Sequence, residues 1–244
     1  MTATERVLQD KNDDIPSMAD SEDYGELIHQ LSFRACVEID PPIISDYRVV
    51  TLATSDSRVK EFIDNNPKVF STGGEFDDVE FRDVAACLML REFYKDFETE
   101  RTISFHSSIK QAERFLQLYE KINEILGHTD ITTFHISSKQ STGVRTRQVK
   151  EFIMTNKSYI SNARCLTEGI DIPSVDAVLF ADPKYSVVDI VQAAGRALRL
   201  YEGKKLGYIF LPITLPNGVE FEEYSASSDS EYKQVLRVIA ALAN

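Results

Sequence analysis

The sequence predicts an α/β protein in which a parallel β-sheet carries helices on both faces. Two observations carry this expectation. From about residue 102 to 211, short apolar runs alternate with amphipathic stretches of helix length. Most of these runs are followed by a helix-length segment rather than a tight turn, which is the connection that parallel strands need. Thr2–Asp23 is polar and rich in Asp, and is expected to be poorly ordered on its own. Glu26–Val37 can form a helix that Pro41-Pro42 ends. Tyr47–Ala53 reads as a strand. Asp64–Asp78, with Asn65-Asn66-Pro67 and Gly73-Gly74, reads as a loop. Phe81–Phe97 is a long amphipathic helix carrying Val84, Cys87, Leu88 and Phe93 inward. Strands follow at about 102–106, 131–135, 158–162, 176–180 and 206–211. The helices between them fall at about 108–126, 143–154 and 186–200, and Tyr232–Leu242 is a last amphipathic helix. No internal repeat interrupts this order.

Composition bounds the class. A chain of 244 residues with 43% hydrophobic content can bury a sizeable core as one domain with tails. No apolar run approaches the ~20 residues needed to span a bilayer, so no membrane is expected. The polar, acidic N-terminus is unlike a signal peptide. Cys36, Cys87 and Cys165 have neither metal spacing nor a disulfide framework, which fits a reducing cytoplasm and predicts no metal site of their own. The net charge of −12 argues against strong autonomous binding to nucleic acid. Its distribution softens that argument. Glu5, Asp10, Asp13, Asp14, Asp20, Glu22, Asp23 and Glu26 crowd the first 26 residues, and Glu220, Glu222, Glu223, Asp229 and Glu231 the tail. The stretch 143–205 is net basic.

The chemistry concentrates in Gln192-Ala193-Ala194-Gly195-Arg196-Ala197-Leu198-Arg199. Ser186 and Asp189 read as the start of a helix, and Val187, Val191, Ala194 and Leu198 form its buried stripe. Gln192, Arg196 and Arg199 stand at i, i+4 and i+7 and share a neighbouring face. Gly195 costs roughly 1 kcal/mol there relative to Ala, which is sensible where something approaches the backbone closely. Two guanidiniums and an amide on one row suit a polyanion such as a nucleotide phosphate tail. For two arginines alone, a solvated basic face is the plainer explanation. The upstream segment is therefore decisive. Thr167-Glu168-Gly169-Ile170-Asp171-Ile172-Pro173 follows one short strand, and Ala177-Val178-Leu179-Phe180 is the next.

This succession resembles the second motor domain of superfamily 2 helicases and translocases. T-E-G-I-D-I-P is similar to their motif V, and Q-A-A-G-R-A-L-R to motif VI, in the right order. Arg101–Ser108 resembles motif IV, Phe134–Ser138 motif IVa, and Met1-Thr2-Ala3-Thr4 the T-A-T of motif III. The resemblance implies a RecA-like domain related to the P-loop NTPases over 46–215. It makes 1–45 the tail of a first motor domain with its linker, partly disordered, and 216–244 an acidic segment with a final helix. It also implies a fragment. The sequence has no G-x-x-x-x-G-K-[ST] loop, since its one Gly-Lys pair, Gly203-Lys204, is followed by Lys205. It has no apolar strand ending in Asp-Glu. A chain cut at the end of the first motor domain would lack both.

What the resemblance implies about the site can be stated residue by residue. Arg196 and Arg199 match arginine fingers, and Gln192 the position that contacts phosphates or the attacking water. Gly169, Asp171 and Gly195 match positions near the nucleotide. His106, Ser107, Ser108, Ser137, Ser138 and Thr167 match the nucleic-acid track at the carboxyl ends of the strands, where hydroxyls and amides hold phosphates without reading bases. For each serine alone, turn or cap chemistry is the plainer explanation. ATP and Mg²⁺ are the implied cofactors, held mostly by the absent first motor domain. DNA rather than RNA is the implied nucleic acid. The motifs look closest to bacterial restriction-enzyme motors and less like DEAD-box proteins, whose motif VI usually begins with His. Alone, the chain is expected to be inactive. Two rival readings are a noncatalytic module derived from a motor domain and an unrelated α/β ligand-binding domain. The intact arginines speak against the first, and the lack of a glycine-rich phosphate loop against the second.

Overall fold

A computed structural model describes residues 31–97, 99–163, 172, 174–181, 187–215 and 240. Its strands are β1 (Tyr47–Ser55), β2 (Arg101–Phe105), β3 (Thr132–Ile136), β4 (Ser158–Asn162), β5 (Ala177–Phe180) and β6 (Gly207–Leu215). They form one sheet in the order β1-β6-β5-β2-β4-β3, and every pairing in it is parallel. Helices α1 (Phe33–Glu38), α2 (Asp56–Asp64), α3 (Pro67–Phe70), α4 (Phe81–Asp96), α5 (Ile109–Ile125), α6 (Thr142–Met154) and α7 (Val187–Ala197) connect them. The expected class, a parallel sheet with helices on both faces, is the one observed.

Alternation along the strands builds two cores. Tyr159, Ala177, Leu179 and Phe210 point to one face, beneath α2, α4 and α5. Ile160, Val178, Phe180, Ile209 and Leu211 point to the other, beneath α6 and α7. Successive side chains of a strand leave on opposite faces, so a strand apolar throughout must be covered twice. On the first face Phe93 of α4 stacks on Phe210, with ring centroids 4.7 Å apart. The Tyr94 hydroxyl donates to the Ser158 carbonyl at 2.7 Å, which ties α4 to the start of β4.

Three differences from the sequence reading have physical reasons. Helix α2 was not anticipated. Ser55 caps it by accepting from the Arg58 N–H, and Val59 is its buried anchor. The stretch read as a loop contains α3, because Pro67 stands at a first-turn position where a proline lacks no needed donor. β6 continues past Pro212 to Leu215. β5 pairs with β6 only from Tyr208 to Phe210, so beyond that point a residue without an N–H sits beside a ladder on one side only. Helix α1 begins at Phe33, with Ser32 accepting from Ala35 N–H at 3.1 Å. The anticipated final helix lies almost wholly outside the described residues.

Asp176 organises the amino edge of the sheet. Its carboxylate accepts from the Glu100 N–H at 2.7 Å and the Arg101 N–H at 3.0 Å, joining the entries of β2 and β5. Burial pushes its pKa from 3.8 up to about 6, against the pull of those two bonds.

Two predictions follow from this packing. Phe93→Ala removes a stacked, fully buried ring and is expected to lower unfolding free energy by about 3–5 kcal/mol, read by urea titration. A loss below about 1 kcal/mol would contradict the stack's place in the core. For Asp176 the raised folded pKa means that its contribution to stability is full below about 3.8 and is lost as pH rises through about 6. Asp176→Asn cannot ionise. Its stability relative to the wild type should therefore improve on the order of 2 kcal/mol between about pH 4 and pH 7. A difference that stays constant over that range would refute the raised value.

Candidate nucleotide cleft and nucleic-acid edge

Helix α7 descends from the carboxyl edge of the sheet with Ile190, Ala193, Ala194 and Ala197 buried against it, and Leu198 follows, also buried. Val191 packs at the margin of the same core. The next face of the helix is the arginine row. Gln192, Gly195, Arg196 and Arg199 line one open cleft of about 440 Å³. The sequence-predicted residues of motif VI therefore do converge. Arg196 is 8% exposed, so its guanidinium is largely withdrawn from bulk water, where charge is poorly screened. A Cβ built on Gly195 meets nothing within 4 Å. No other part of the described chain presses on that backbone. The close approach expected of Gly195 is available only to something entering the cleft.

The opposite wall of the cleft was not anticipated. It consists of Leu31, Phe33, Cys36 and Ile44, from α1 and the segments flanking it. Phe33 also packs on the core beneath α7 and meets the Tyr47 ring edge-on at 6.3 Å. Nothing local in the sequence marks these residues, because their partners lie far along the chain. Donors on one wall and apolar groups on the other suit a ligand with an anionic end and a flat or apolar end. Gln192, Arg196 and Arg199 can supply hydrogen bonds to phosphate oxygens. Among the described residues, no cluster of His, Cys, Asp or Glu has the makings of a metal site.

The expected nucleic-acid residues gather at the carboxyl edge, with mixed access. Ser107 and Ser108 follow β2, and Ser137 and Ser138 follow β3. β4 lies between those strands, so the two loops stand roughly 10 Å apart. Ser108 is exposed and caps α5 by accepting from the Gln111 N–H at 3.2 Å. The Ser107 hydroxyl donates to the Gln111 side-chain oxygen. Ser138 is exposed, whereas Ser137 is 1% exposed and gives its backbone N–H to Gln140 at 3.1 Å.

His106 requires a correction. Its imidazole is 4% exposed, lies 2.8 Å from the Ser104 hydroxyl and packs on Phe115 at 4.9 Å. Ser104 in turn hydrogen-bonds the Tyr159 hydroxyl. The ring is thus held within the core, and the phosphate contact expected of it is not offered by the side chain. A buried polar group without such partners would cost about 1–3 kcal/mol, which is why ring and hydroxyls find one another. Thr167, Gly169 and Asp171 lie outside the described residues.

Comparison with known proteins agrees with this geometry. The family described as helicase conserved C-terminal domain matches residues 85–201. ATP-dependent RNA helicase HAS1 of Saccharomyces cerevisiae is 27% identical over 141 residues, which is 58% of this chain and 26% of that protein. The HAS1 protein of Candida glabrata is also 27% identical, over 56% of this chain and 26% of its own length. The chain thus spans about a quarter of the curated relatives it matches. Among solved structures, an ATP-dependent Type ISP restriction-modification enzyme, LlaBIII, bound to DNA, superposes with a TM-score of 0.76. It is 28% identical and covers 98% of this chain, which corresponds to 17% of that protein. A fragment assigned as an HsdR subunit of a type I restriction enzyme from Vibrio vulnificus shares the fold, with a TM-score of 0.56 and 19% identity. That match covers 80% of this chain and 41% of the fragment. The parallel sheet, the arginine helix and these likenesses lead to one conclusion: residues 85–201 match the helicase conserved C-terminal domain, and the chain has the RecA-like fold of such domains.

Proposed function

We propose that this domain is one half of an ATP-driven nucleic-acid motor and supplies the arginine wall of its nucleotide cleft. The observation that carries the reading is the convergence of Gln192, Gly195, Arg196 and Arg199 on a single open cleft. A P-loop domain, which this sequence does not contain, would hold ATP and Mg²⁺ from the other side. The bound metal would neutralise phosphate charge there. Arg196 and Arg199 would meet the charge that spreads over the transferred phosphoryl group. Because Arg196 is already withdrawn from solvent, it needs little reorganisation to do so. Gln192, one turn earlier, would orient the water or a phosphate oxygen. Gly195 keeps the backbone between them clear. Gly169 and Asp171 are proposed as ribose-side and coupling positions. Ser107, Ser108, Ser138 and Thr167 are proposed as contacts to a phosphate backbone at the carboxyl edge.

DNA is the proposed track. The likeness to the DNA-bound restriction-modification enzyme spans nearly the whole chain, whereas the likeness to RNA helicases spans little more than half. The same comparison supports placing the motor in the restriction-enzyme-like group. Without a phosphate-cradling loop, the chain by itself should hydrolyse ATP negligibly.

The test uses the motor assembled with its P-loop domain. Arg196→Ala should lower nucleic-acid-stimulated ATP hydrolysis by about 10³-fold or more, with ATP affinity little changed. Stimulated hydrolysis that survives the substitution would sink the finger assignment and favour a noncatalytic binding module. Stimulation by RNA but not by DNA would overturn the choice of track. Gly195→Ala separates stability from function. The added methyl meets open space, so the isolated chain should gain up to about 1 kcal/mol in thermal or urea unfolding. The assembled motor should nonetheless lose turnover. A variant that is stabler and fully active would show that nothing enters the space over Gly195.

A further inference from the structure

Helix α7 ends with carbonyls that have no partner within the helix, as every helix does. Here the one on Ala197 and the two carbonyls just past the helix, on Leu198 and Arg199, are met by groups from two distant parts of the chain. The Ser45 N–H donates to the Leu198 carbonyl at 2.7 Å, and the Ser45 hydroxyl donates to the Arg199 carbonyl at 3.2 Å. The Lys204 ammonium donates to the Ala197 carbonyl at 3.0 Å and, on its other side, to the Val175 carbonyl at 3.1 Å. Ser45 lies in the segment between α1 and β1 and is 6% exposed. Lys204 lies in the turn before β6. The same helix end rests directly on the sheet, because a Cβ on Gly207 would overlap the Ala197 carbonyl oxygen and the Leu198 side chain.

We infer that Ser45 and Lys204 are positioning residues that clamp the backbone of Ala197–Arg199 and thereby aim Arg196 and Arg199 into the cleft. The inference rests on the reading of those arginines as phosphate-facing. Arg199 lies beyond the last helical residue, so helical hydrogen bonding alone does not fix its carbonyl. Its place is set by the two bonds from Ser45 to the neighbouring carbonyls and by the Lys204 bridge that fastens the helix end to the strand entry at Val175. A cation at a helix C-terminus is also favoured by the helix dipole. Holding it there has a cost. Burial lowers the Lys204 pKa to about 8, opposed by the Asp176 carboxylate. A lysine kept in such surroundings indicates a geometric role that an apolar side chain of similar length would not fill. Ser45 also ties the cleft's two walls together, because it is one residue beyond Ile44, which lines the wall opposite the arginines.

The experiment compares Lys204→Met, Ser45→Ala and Ser45→Thr with Arg196→Ala in the motor assembled with its P-loop domain. Misplacing a catalytic group by about 1 Å can cost about 100-fold, so Lys204→Met and Ser45→Ala should each lower stimulated kcat by about tenfold or more. KM for ATP and nucleic-acid affinity should stay at wild-type values. Ser45→Thr keeps both donors and should restore kcat. Melting of the 244-residue chain with each substitution measures any general loss of fold. A kcat that stays at the wild-type level in Lys204→Met and Ser45→Ala, while Arg196→Ala is inactive, would overturn the clamp and leave the finger assignment standing. The clamp is likewise overturned if the kcat losses track the melting temperature and Ser45→Thr fails to restore turnover. If Arg196→Ala itself retains stimulated turnover, the underlying reading of the cleft fails instead.

Discussion

Every strand in the middle of this sheet must be covered on both faces, and that constraint organises the rest of the molecule. β2, β4 and β5 are buried or nearly so along their whole length, and parallel neighbours can be joined only by crossovers. The crossovers therefore become the cover. Helices α4 and α5 close one face, around Phe93, Phe115 and Phe210. Helices α6 and α7 close the other, around Phe152, Ala194 and Phe180. The arginine helix stands where it does because its alanine stripe is the lid on β5 and β6. Small residues there let the helix backbone approach the sheet closely, and Gly207 is the matching concession on the strand.

Several polar groups inside this core are linked to one another across neighbouring strands. Ser104, His106 and Tyr159 form a connected set that spans β2 and β4. Beside them the Ser161 hydroxyl donates to the Ala112 carbonyl in the first turn of α5. Such a set stabilises only when its members are satisfied together. Its location under the loops that bear Ser107 and Ser108 gives those loops a rigid floor. The His106 ring thus supports the following loop from below, while the Ser108 hydroxyl is exposed above it.

How much of the candidate site is legible in sequence depends on how local its geometry is. The row Gln192, Arg196 and Arg199 is legible because helical spacing alone puts these residues on one side. Ser108 and Ser141 are legible as caps, since the cap position is local as well. The inward turn of His106 is not legible. A histidine after a strand can face either way, and the outcome rests on Ser104 and on Tyr159 of a neighbouring strand. Helix α2 had a readable signal in Ser55 and the spacing of Val59, Phe62 and Ile63. Helix α3 was obscured because the same Asn-Asn-Pro run serves a turn and a helix start.

By itself, the sequence determined the order of the strands and of helices α4 to α7, the buried stripe of α7 and the row of cationic side chains beside it. Each is a statement about neighbours within two turns of chain, which periodicity records directly. The tertiary structure alone decided that Tyr47 pairs with Gly207, that Phe33, Cys36 and Ile44 face the arginines, and that Ser45 and Lys204 meet at the end of α7. A hydrophobic pattern shows that a face must be covered, not which distant segment covers it. That choice is made by the sheet order, which brings β1 beside β6 and with it the segment that walls the cleft.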